Sequence, residues 1–125
     1  MALARASNVF KAGVDLHGVH DWNLQFPHPP FARDYVATSD RLWRAFRASP
    51  LADVGTWRSP VLLIQGDADH NVPFEQTVRM AEALRRLGVP FEQLVFPDEV
   101  HDFLRRTTWL KAYGATVDFL ERKLR

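Results

Sequence analysis

The chain has 125 residues, of which 46% are hydrophobic and 25% are charged, and it contains no cysteine. This composition is typical of a globular protein and excludes disulfides and thiolate metal sites. The net charge of +1 is not gathered into a basic stripe, which argues against a dedicated nucleic-acid binder. No apolar run reaches the roughly 18 residues that a membrane span needs.

The first half of the chain is predicted to be rich in loops. Apolar residues at helical spacing predict a short helix over residues 2–10, and alternating apolar residues predict a strand over residues 14–19. Residues 23–40 are rich in proline and polar groups and are interpreted as a loop that could contain a helical turn. A helix over residues 39–48 should follow and should end before Pro50, because the residue before a proline disfavours helix.

The second half alternates strand patterns with helix patterns. The continuous apolar run Val61–Ile64 predicts a strand that is buried on both faces, as in parallel sheets. Helical spacing predicts a helix over residues 74–87 with Gly88 as its C-cap, and residues 91–96 form another strand. A final amphipathic helix is predicted to bury the face formed by Trp109, Tyr113, Val117, Leu120 and Leu124. This alternation implies parallel strands joined by right-handed crossovers.

Two loops beyond the C-terminal ends of these strands carry the residues with catalytic chemistry, which is where open α/β sheets place functional groups. Residues 66–73 contain Asp69, and residues 97–102 contain His101. An acid followed by a histidine on successive strand-end loops is the later part of the Ser…Asp…His order of α/β-hydrolases. Adjacent parallel strands lie about 5 Å apart, so the two side chains can meet. The histidine would then take a proton from a nucleophile, and the carboxylate would hold its tautomer.

Three segments of the second half carry a specific resemblance. They are Pro60–Pro73 (PVLLIQGDADHNVP), Ala83–Val89 (ALRRLGV) and Pro97–Phe103 (PDEVHDF). Together they resemble the end of the catalytic domain of the prolyl oligopeptidase family of serine peptidases, in particular its bacterial dipeptidyl aminopeptidase and acylaminoacyl-peptidase types. The resemblance covers residues 59–125 and, more weakly, residues 1–22. It implies that residues 1–125 are the C-terminal part of a peptidase catalytic domain that acts on a peptide substrate and needs no cofactor.

The resemblance also implies roles for individual residues. Asp69 and His101 match the acid and the histidine of the family's Ser-Asp-His triad. Asn71 is expected to donate a hydrogen bond to a substrate backbone carbonyl. The pocket for the residue before the scissile bond is expected to be lined by Val72, Val19 and Trp22.

The sequence departs from the family pattern because it contains no Gly-x-Ser-x-Gly motif. None of its serines, which are Ser7, Ser39, Ser49 and Ser59, lies between two glycines. We therefore expect the nucleophile to lie upstream of residue 1 and the isolated chain to be inactive. The expected fold is a partial α/β-hydrolase with about three parallel strands and flanking helices, without the nucleophile strand. The strand at residues 14–19 would then present an exposed apolar edge through which the chain could associate with itself.

Other polar residues near these loops have simpler interpretations. Asp67 is expected to form a turn, and Asp98 and Glu99 are expected to hold the histidine loop. His17, His20 and Asp21 form a compact His-x-x-His-Asp cluster that could suggest a metal site. Residues three apart on a strand point to opposite faces, so we expect no metal there. Trp109 and Tyr113 are interpreted as core residues.

Two other functional classes remain open at this point. One is a non-catalytic remnant that binds a protein partner through the exposed sheet edge. The other is a fragment of an esterase-type or dienelactone-hydrolase-type α/β-hydrolase, although the Asp-Glu-Val-His-Asp-Phe stretch and Asn71-Val72 favour a peptidase. No signal peptide is predicted, because the first residues lack a basic region followed by a long apolar stretch. We favour the cytoplasm and expect neither a nucleic acid nor a membrane as partner.

Overall fold

A computed structural model describes residues 1–25 and 35–125. The helices are α1 (Ala2–Arg5), α2 (Trp22–Gln25), α3 (Tyr35–Arg47), α4 (Glu75–Arg86) and α5 (Arg106–Leu124), and a 3-10 helix spans Pro50–Thr56. The strands are β1 (Gly13–Leu16), β2 (Val61–Gly66) and β3 (Phe91–Phe96). Among the described residues, no helix is long and apolar enough to cross a bilayer.

The strands form one parallel sheet in the order β1-β2-β3. Gly13 pairs with Val61, which in turn pairs with Phe91, so all three strands begin at the same level and end at the same edge. With helices on both faces, this is the partial α/β-hydrolase fold that the sequence predicts. The register brings the loops that follow β1, β2 and β3 together at one edge of the sheet.

β2 is buried on both faces, which explains its continuous apolar sequence. On one face, Val61 and Leu63 pack with α1, the 3-10 helix and α4 in a cluster that includes Ala4, Trp57, Met80, Ala81, Leu84 and Val89. On the other face, Leu62 and Ile64 pack under α5 in a cluster that includes Phe96, Phe103, Ala112 and Phe119. Burying a side chain such as Leu63 contributes about 2 kcal/mol to the free energy of unfolding.

The C-terminus of α4 confirms the predicted glycine cap. Gly88 has a φ of 67°, the left-handed conformation that glycine adopts without strain. The Gly88 N–H donates to the Arg85 carbonyl at 3.2 Å, and the Val89 N–H donates to the Leu84 carbonyl at 3.0 Å. These are the two bonds of a Schellman motif, and the buried side chains of Leu84 and Val89 supply its hydrophobic contact.

Several predicted boundaries in the first half are wrong. The first helix ends at Arg5 rather than at residue 10, and β1 ends at Leu16 rather than at residue 19. Helix α3 begins at Tyr35, inside the predicted loop of residues 23–40, whereas the short helix α2 at the start of that loop agrees with the helical turn allowed there. The remainder of that loop, residues 26–34, lies outside the described residues.

The buried face of α5 also differs from the prediction. Its buried residues are Thr108, Ala112 and Phe119. Tyr113, Val117 and Leu124 keep 58%, 55% and 52% of their surface exposed, so the predicted apolar stripe lies largely on the outside. Thr108, Ala112 and Phe119 also recur at helical spacing, so helical spacing alone did not distinguish the two faces.

Candidate active site

Three hydrogen bonds join the loop that follows β2 to the loop that follows β3, and their partners occur in the same order along both loops. They run from the Asp98 N–H to Asp67 Oδ1 (2.7 Å), from the Ala68 N–H to the Glu99 carbonyl (3.2 Å), and from His101 Nδ1 to Asp69 Oδ2 (2.8 Å). Asp67 therefore holds the neighbouring loop as well as its own turn. The contacts fix the acid and the histidine at a separation that allows them to act as a pair.

Asp69 is held by donors on both carboxylate oxygens. Oδ1 accepts the N–H groups of Asn71 and Val72, each at 2.9 Å. Oδ2 accepts His101 Nδ1 at 2.8 Å and Gln65 Nε2 at 3.2 Å. The Asp69 side chain is 0% exposed, so these donors replace the water that an ionised carboxylate needs.

The pKa of Asp69 reflects a competition between burial and hydrogen bonding. Burial alone would raise the pKa of this carboxyl group, because it disfavours the charged form. The hydrogen bonds from Val72, His101, Gln65 and Asn71 outweigh burial and hold the pKa of Asp69 below its ordinary value. Asp69 is therefore an anion at neutral pH, as the acid of a catalytic triad must be.

Gln65 is a site residue that the sequence analysis missed. It is fully buried near the end of β2. Its Nε2 donates to Asp69 Oδ2 and, at 2.7 Å, to the Val72 carbonyl, while its Oε1 accepts the Thr77 hydroxyl at 2.5 Å. Because every polar atom of this amide is satisfied, Gln65 fixes the Asp69 loop without an unpaired buried group. The signal in the sequence is a lone polar residue that directly continues the apolar run of β2.

His101 lies at the surface end of the pair. Its side chain is 25% exposed, and its Nδ1 faces the Asp69 carboxylate. A carboxylate only accepts hydrogen bonds, so we assign the proton to Nδ1 in the neutral ring, which leaves Nε2 as a free base. Among the described residues, Nε2 has no hydrogen-bond partner. It can therefore accept a proton from a hydroxyl group or a water molecule brought to this edge of the sheet.

Glu99 holds the loop that carries His101, as the sequence predicts. It is buried, and its carboxylate accepts the Leu104 N–H at 2.7 Å and the Thr108 hydroxyl at 2.5 Å. Arg105 Nε lies 3.3 Å from Glu99 Oε1. The Thr108 hydroxyl leads the interactions that keep the pKa of Glu99 below its ordinary value. These contacts tie the loop to the start of α5.

Aromatic side chains support the other side of the histidine loop. Phe103 is buried and has a φ of 35°, and its ring packs edge-on against Phe96 at a centroid distance of 5.2 Å. Trp109 stacks on Phe103 at 5.0 Å, and its Nε1 donates to the Phe103 carbonyl at 2.9 Å. Trp109 is partly buried and belongs to the core cluster, whereas Tyr113 extends the stack outward and is exposed. The core interpretation of Tyr113 is therefore wrong.

The predicted substrate residues lie in different surroundings. Asn71 is exposed and lines an open pocket with His101, together with His70, Val100 and Asp102. Val72 is buried, and its backbone is used to hold Asp69 and Gln65. Val19 and Trp22 are partly buried, and the Trp22 N–H donates to Ser49 Oγ at 2.9 Å. Among the described residues, the lining of the pocket beside His101 thus includes Asn71 but not Val72, Val19 or Trp22.

The histidines that follow β1 have separate partners. The His20 ring is buried and lies between Asp15 Oδ2 at 2.8 Å and the Gln76 carbonyl at 2.9 Å. The His17 ring instead lies on His101, with a centroid distance of 3.9 Å. The described residues contain no group of three or more potential metal ligands. His17 therefore joins the Asp69–His101 site, a contact that the sequence analysis did not anticipate.

Comparison with known proteins agrees with this geometry. Residues 1–125 match the prolyl oligopeptidase family. The chain is 27% identical over 105 residues to the acylamino-acid-releasing enzyme of Mus musculus. The aligned region covers 76% of this chain and 14% of the mouse protein. It is 28% identical over 132 aligned residues to dipeptidyl peptidase 4 of Sus scrofa, which covers 98% of this chain and 16% of the pig protein.

A solved structure gives the same result. The puromycin-hydrolysing peptidase of Mycobacterium tuberculosis superimposes with a TM-score of 0.80 and is 29% identical. The match covers 98% of this chain and 20% of that peptidase. The chain thus spans only a small fraction of the length of the proteins that it resembles.

Proposed function

The chain belongs to the prolyl oligopeptidase family of serine peptidases, and on that premise we propose that it supplies the acid and the base of a Ser-His-Asp triad. Asp69 is the acid and His101 is the general base, and the serine is contributed by residues upstream of this sequence. In the reaction, His101 Nε2 takes the proton of the serine hydroxyl as the serine attacks the scissile carbonyl. Asp69 stabilises the resulting imidazolium and holds its orientation.

The observation that carries this proposal is the 2.8 Å contact between His101 Nδ1 and the buried Asp69 Oδ2. His101 lines the open pocket, and the N–H groups of Asn71 and Val72 help to keep Asp69 ionised through its other carboxylate oxygen. A structural ion pair would not need a free and accessible Nε2. A base that must reach a nucleophile does need one.

We further propose that peptide substrates bind beside His101. The Asn71 side chain lines the same open pocket and is exposed, so its amide can donate to a substrate carbonyl. Val19, Val72 and Trp22 provide apolar surface for the residue before the scissile bond. The Asn71-Val72 pair and the Asp-Glu-Val-His-Asp-Phe stretch are the sequence features that favour a peptidase over an esterase.

A chimera would test the triad directly. Residues 1–125 replace the matching C-terminal segment of the M. tuberculosis peptidase, and hydrolysis of puromycin and of aminoacyl p-nitroanilides is followed. We expect the chimera to be active and the variants His101→Gln and Asp69→Asn to lower kcat by about 10,000-fold or more. Asp118→Asn removes an exposed carboxylate on α5 and is the matched control, so its kcat should stay unchanged.

The outcomes of this test are distinct. Activity that survives His101→Gln would refute the assigned base. A folded chimera that hydrolyses simple esters but no peptide would favour the esterase class. A folded chimera without any hydrolase activity would favour a non-catalytic remnant.

We also propose that the isolated chain is inactive as a peptidase. A serine peptidase that loses its nucleophile loses about a million-fold in turnover number. Ordinary enzymes turn over about ten substrate molecules per second. A measured turnover within a hundredfold of that value for the 125-residue chain, free of contaminating peptidase, would contradict this proposal.

Finally, we propose that the chain associates with a second copy of itself through β1. Within the described residues, β1 pairs only with β2, so its other edge presents unpaired backbone groups. Val14 and Leu16 add partly buried apolar side chains along this edge. An unpaired edge of this kind is a template for pairing with another strand.

A further inference from the structure

We propose that His17 is a positioning residue for His101, and that the two rings, which lie in contact, carry no more than one positive charge between them. The His17 ring packs against the His101 ring while Asp69 holds Nδ1 of His101. The catalytic meaning of this contact rests on the triad proposed above. The contact between the two rings is observed in the structure and does not depend on that proposal.

The backbone fixes His17 at the active-site edge of the sheet. Its N–H donates to the Ile64 carbonyl at 2.8 Å, which extends the pairing of β1 with β2 by one residue. Its φ is 42°, a left-handed conformation that is uncommon for a residue with a side chain. The turn takes the chain away from the sheet at this residue, and the ring comes to lie on His101 at a centroid distance of 3.9 Å and an interplanar angle of 47°.

Residues on both sides of His17 in the sequence anchor this turn. Asp15 bonds to the buried His20 ring at 2.8 Å, and the Gln76 side chain accepts the backbone N–H groups of His20 and Asp21 at 3.0 and 2.7 Å. A Cβ atom at Gly18 would overlap the Asp15 carboxylate, so a side chain there would have to displace the group that bonds to His20. The loop that carries His17 is therefore clamped to the start of α4, so His17 is a fixed support for His101.

The charges around His17 favour no more than one positive charge on the pair of rings. His17 faces Asp15 on its own strand, Asp69 on the loop after β2 and His101 on the loop after β3, and the Phe103 ring packs against it at 5.9 Å. Burial and then the charge of His101 lower the pKa of His17, and the two aspartates offset this only in part. His17 is therefore neutral at neutral pH and leaves His101 free to accept the proton during catalysis.

The test is a pH titration of the histidine rings by long-range 1H–15N NMR on the 125-residue chain. The variant His101→Gln removes the facing charge and keeps His17. We expect its His17 midpoint to move upward toward the ordinary value of about 6.5. If the titration midpoint of His17 is the same in the wild type and in His101→Gln, the inference that the two rings carry no more than one positive charge is overturned.

Two variants of His17 separate the ring from its charge. His17→Phe keeps a ring that cannot titrate, and His17→Asn removes the ring but tolerates the left-handed backbone. We expect the slowly exchanging Nδ1–H resonance of His101 to persist in His17→Phe and to broaden or vanish in His17→Asn. If that resonance is retained in His17→Asn, His17 does not position His101.

These readouts do not depend on hydrolysis. They can therefore contradict the role of His17 while the triad proposal stands, and they can support it when the triad proposal fails. Circular dichroism establishes that each variant is folded. If His17→Asn does not fold, His101→Gln still tests whether the two rings carry no more than one positive charge. The comparison of His17→Phe with His17→Leu then tests whether a ring is needed at this position.

Discussion

The Gly66 Cα atom lies so close to the backbone carbonyl of Glu99 that a methyl group on it would overlap that carbonyl. The close approach lets the Ala68 N–H reach the same carbonyl at 3.2 Å. Because Asp69 and His101 follow these residues, we expect the separation of the two loops at Gly66 to determine the separation of Asp69 and His101. A residue without a side chain is therefore a structural requirement of the site.

Replacement of Gly66 by alanine should force the loops apart. We expect Gly66→Ala to lower the free energy of unfolding by about 1–3 kcal/mol, because the obstructing atom belongs to the backbone and cannot rotate away. Urea denaturation measures this change. Gly114→Ala is the matched control, since Gly114 lies within α5 with open space around it. That variant should gain about 0.5–1 kcal/mol, and equal effects at the two positions would refute the argument.

Asp69 should make stability depend on pH in the acid range. Its pKa is held below the ordinary value of about 3.9, so its contribution to stability is complete above that pH and disappears as the pH falls through the folded-state pKa. We expect Asp69→Asn to be less stable than the wild type by about 1–3 kcal/mol at neutral pH. The difference between the two proteins should shrink below about pH 4, as measured by denaturation between pH 3 and 7.

This comparison isolates Asp69 from the other carboxylates. Glu92 and Glu99 also have lowered pKa values, but both are present in the two proteins and cancel in the difference. Asp118→Asn should show no such pH-dependent difference from the wild type. A gap between wild type and Asp69→Asn that stays constant down to pH 3 would contradict the assignment of Asp69 as a hydrogen-bonded anion.

Gln65 should be coupled to Thr77. Gln65→Leu removes the donor to Asp69 and to the Val72 carbonyl and leaves the buried Thr77 hydroxyl without its acceptor. We expect a loss of about 1–3 kcal/mol in the free energy of unfolding and a higher pKa for Asp69. In the double variant with Thr77→Val, the combined loss should be smaller than the sum of the single losses. Strict additivity would show that the two side chains act independently.

The sequence identified the fold where local pattern and burial agree. The run Val61–Ile64 predicts a central parallel strand because both of its faces are covered, and Gly88 predicts the end of α4 because few other residues adopt its backbone conformation. The pattern failed for α5, where small residues such as Ala112 pack against the sheet and Tyr113 faces outward. Hydrophobicity alone does not show which face of such a helix approaches the sheet.

The site was predictable in its core and not in its surroundings. The contact between Asp69 and His101 was expected from their positions on successive strand-end loops, whereas the choice of Asp69 as the acid came from the family resemblance. Gln65 and Gln76 were not, because an amide that satisfies buried backbone groups acts through contacts between segments distant in sequence. The position of His17 depends on a backbone turn with positive φ, for which a histidine gives little local signal.

The exposed edge of β1 gives a prediction with an internal control. The N–H groups of Gly13 and His17 donate to the Pro60 and Ile64 carbonyls of the neighbouring segment. Alternation along a strand therefore directs the N–H groups of Val14 and Leu16 to the free edge. In hydrogen exchange we expect these two amides to exchange fast at low protein concentration and to become protected as the concentration rises. Gly13 and His17 should be protected throughout, and concentration-independent exchange at Val14 and Leu16 would show that β1 does not mediate self-association.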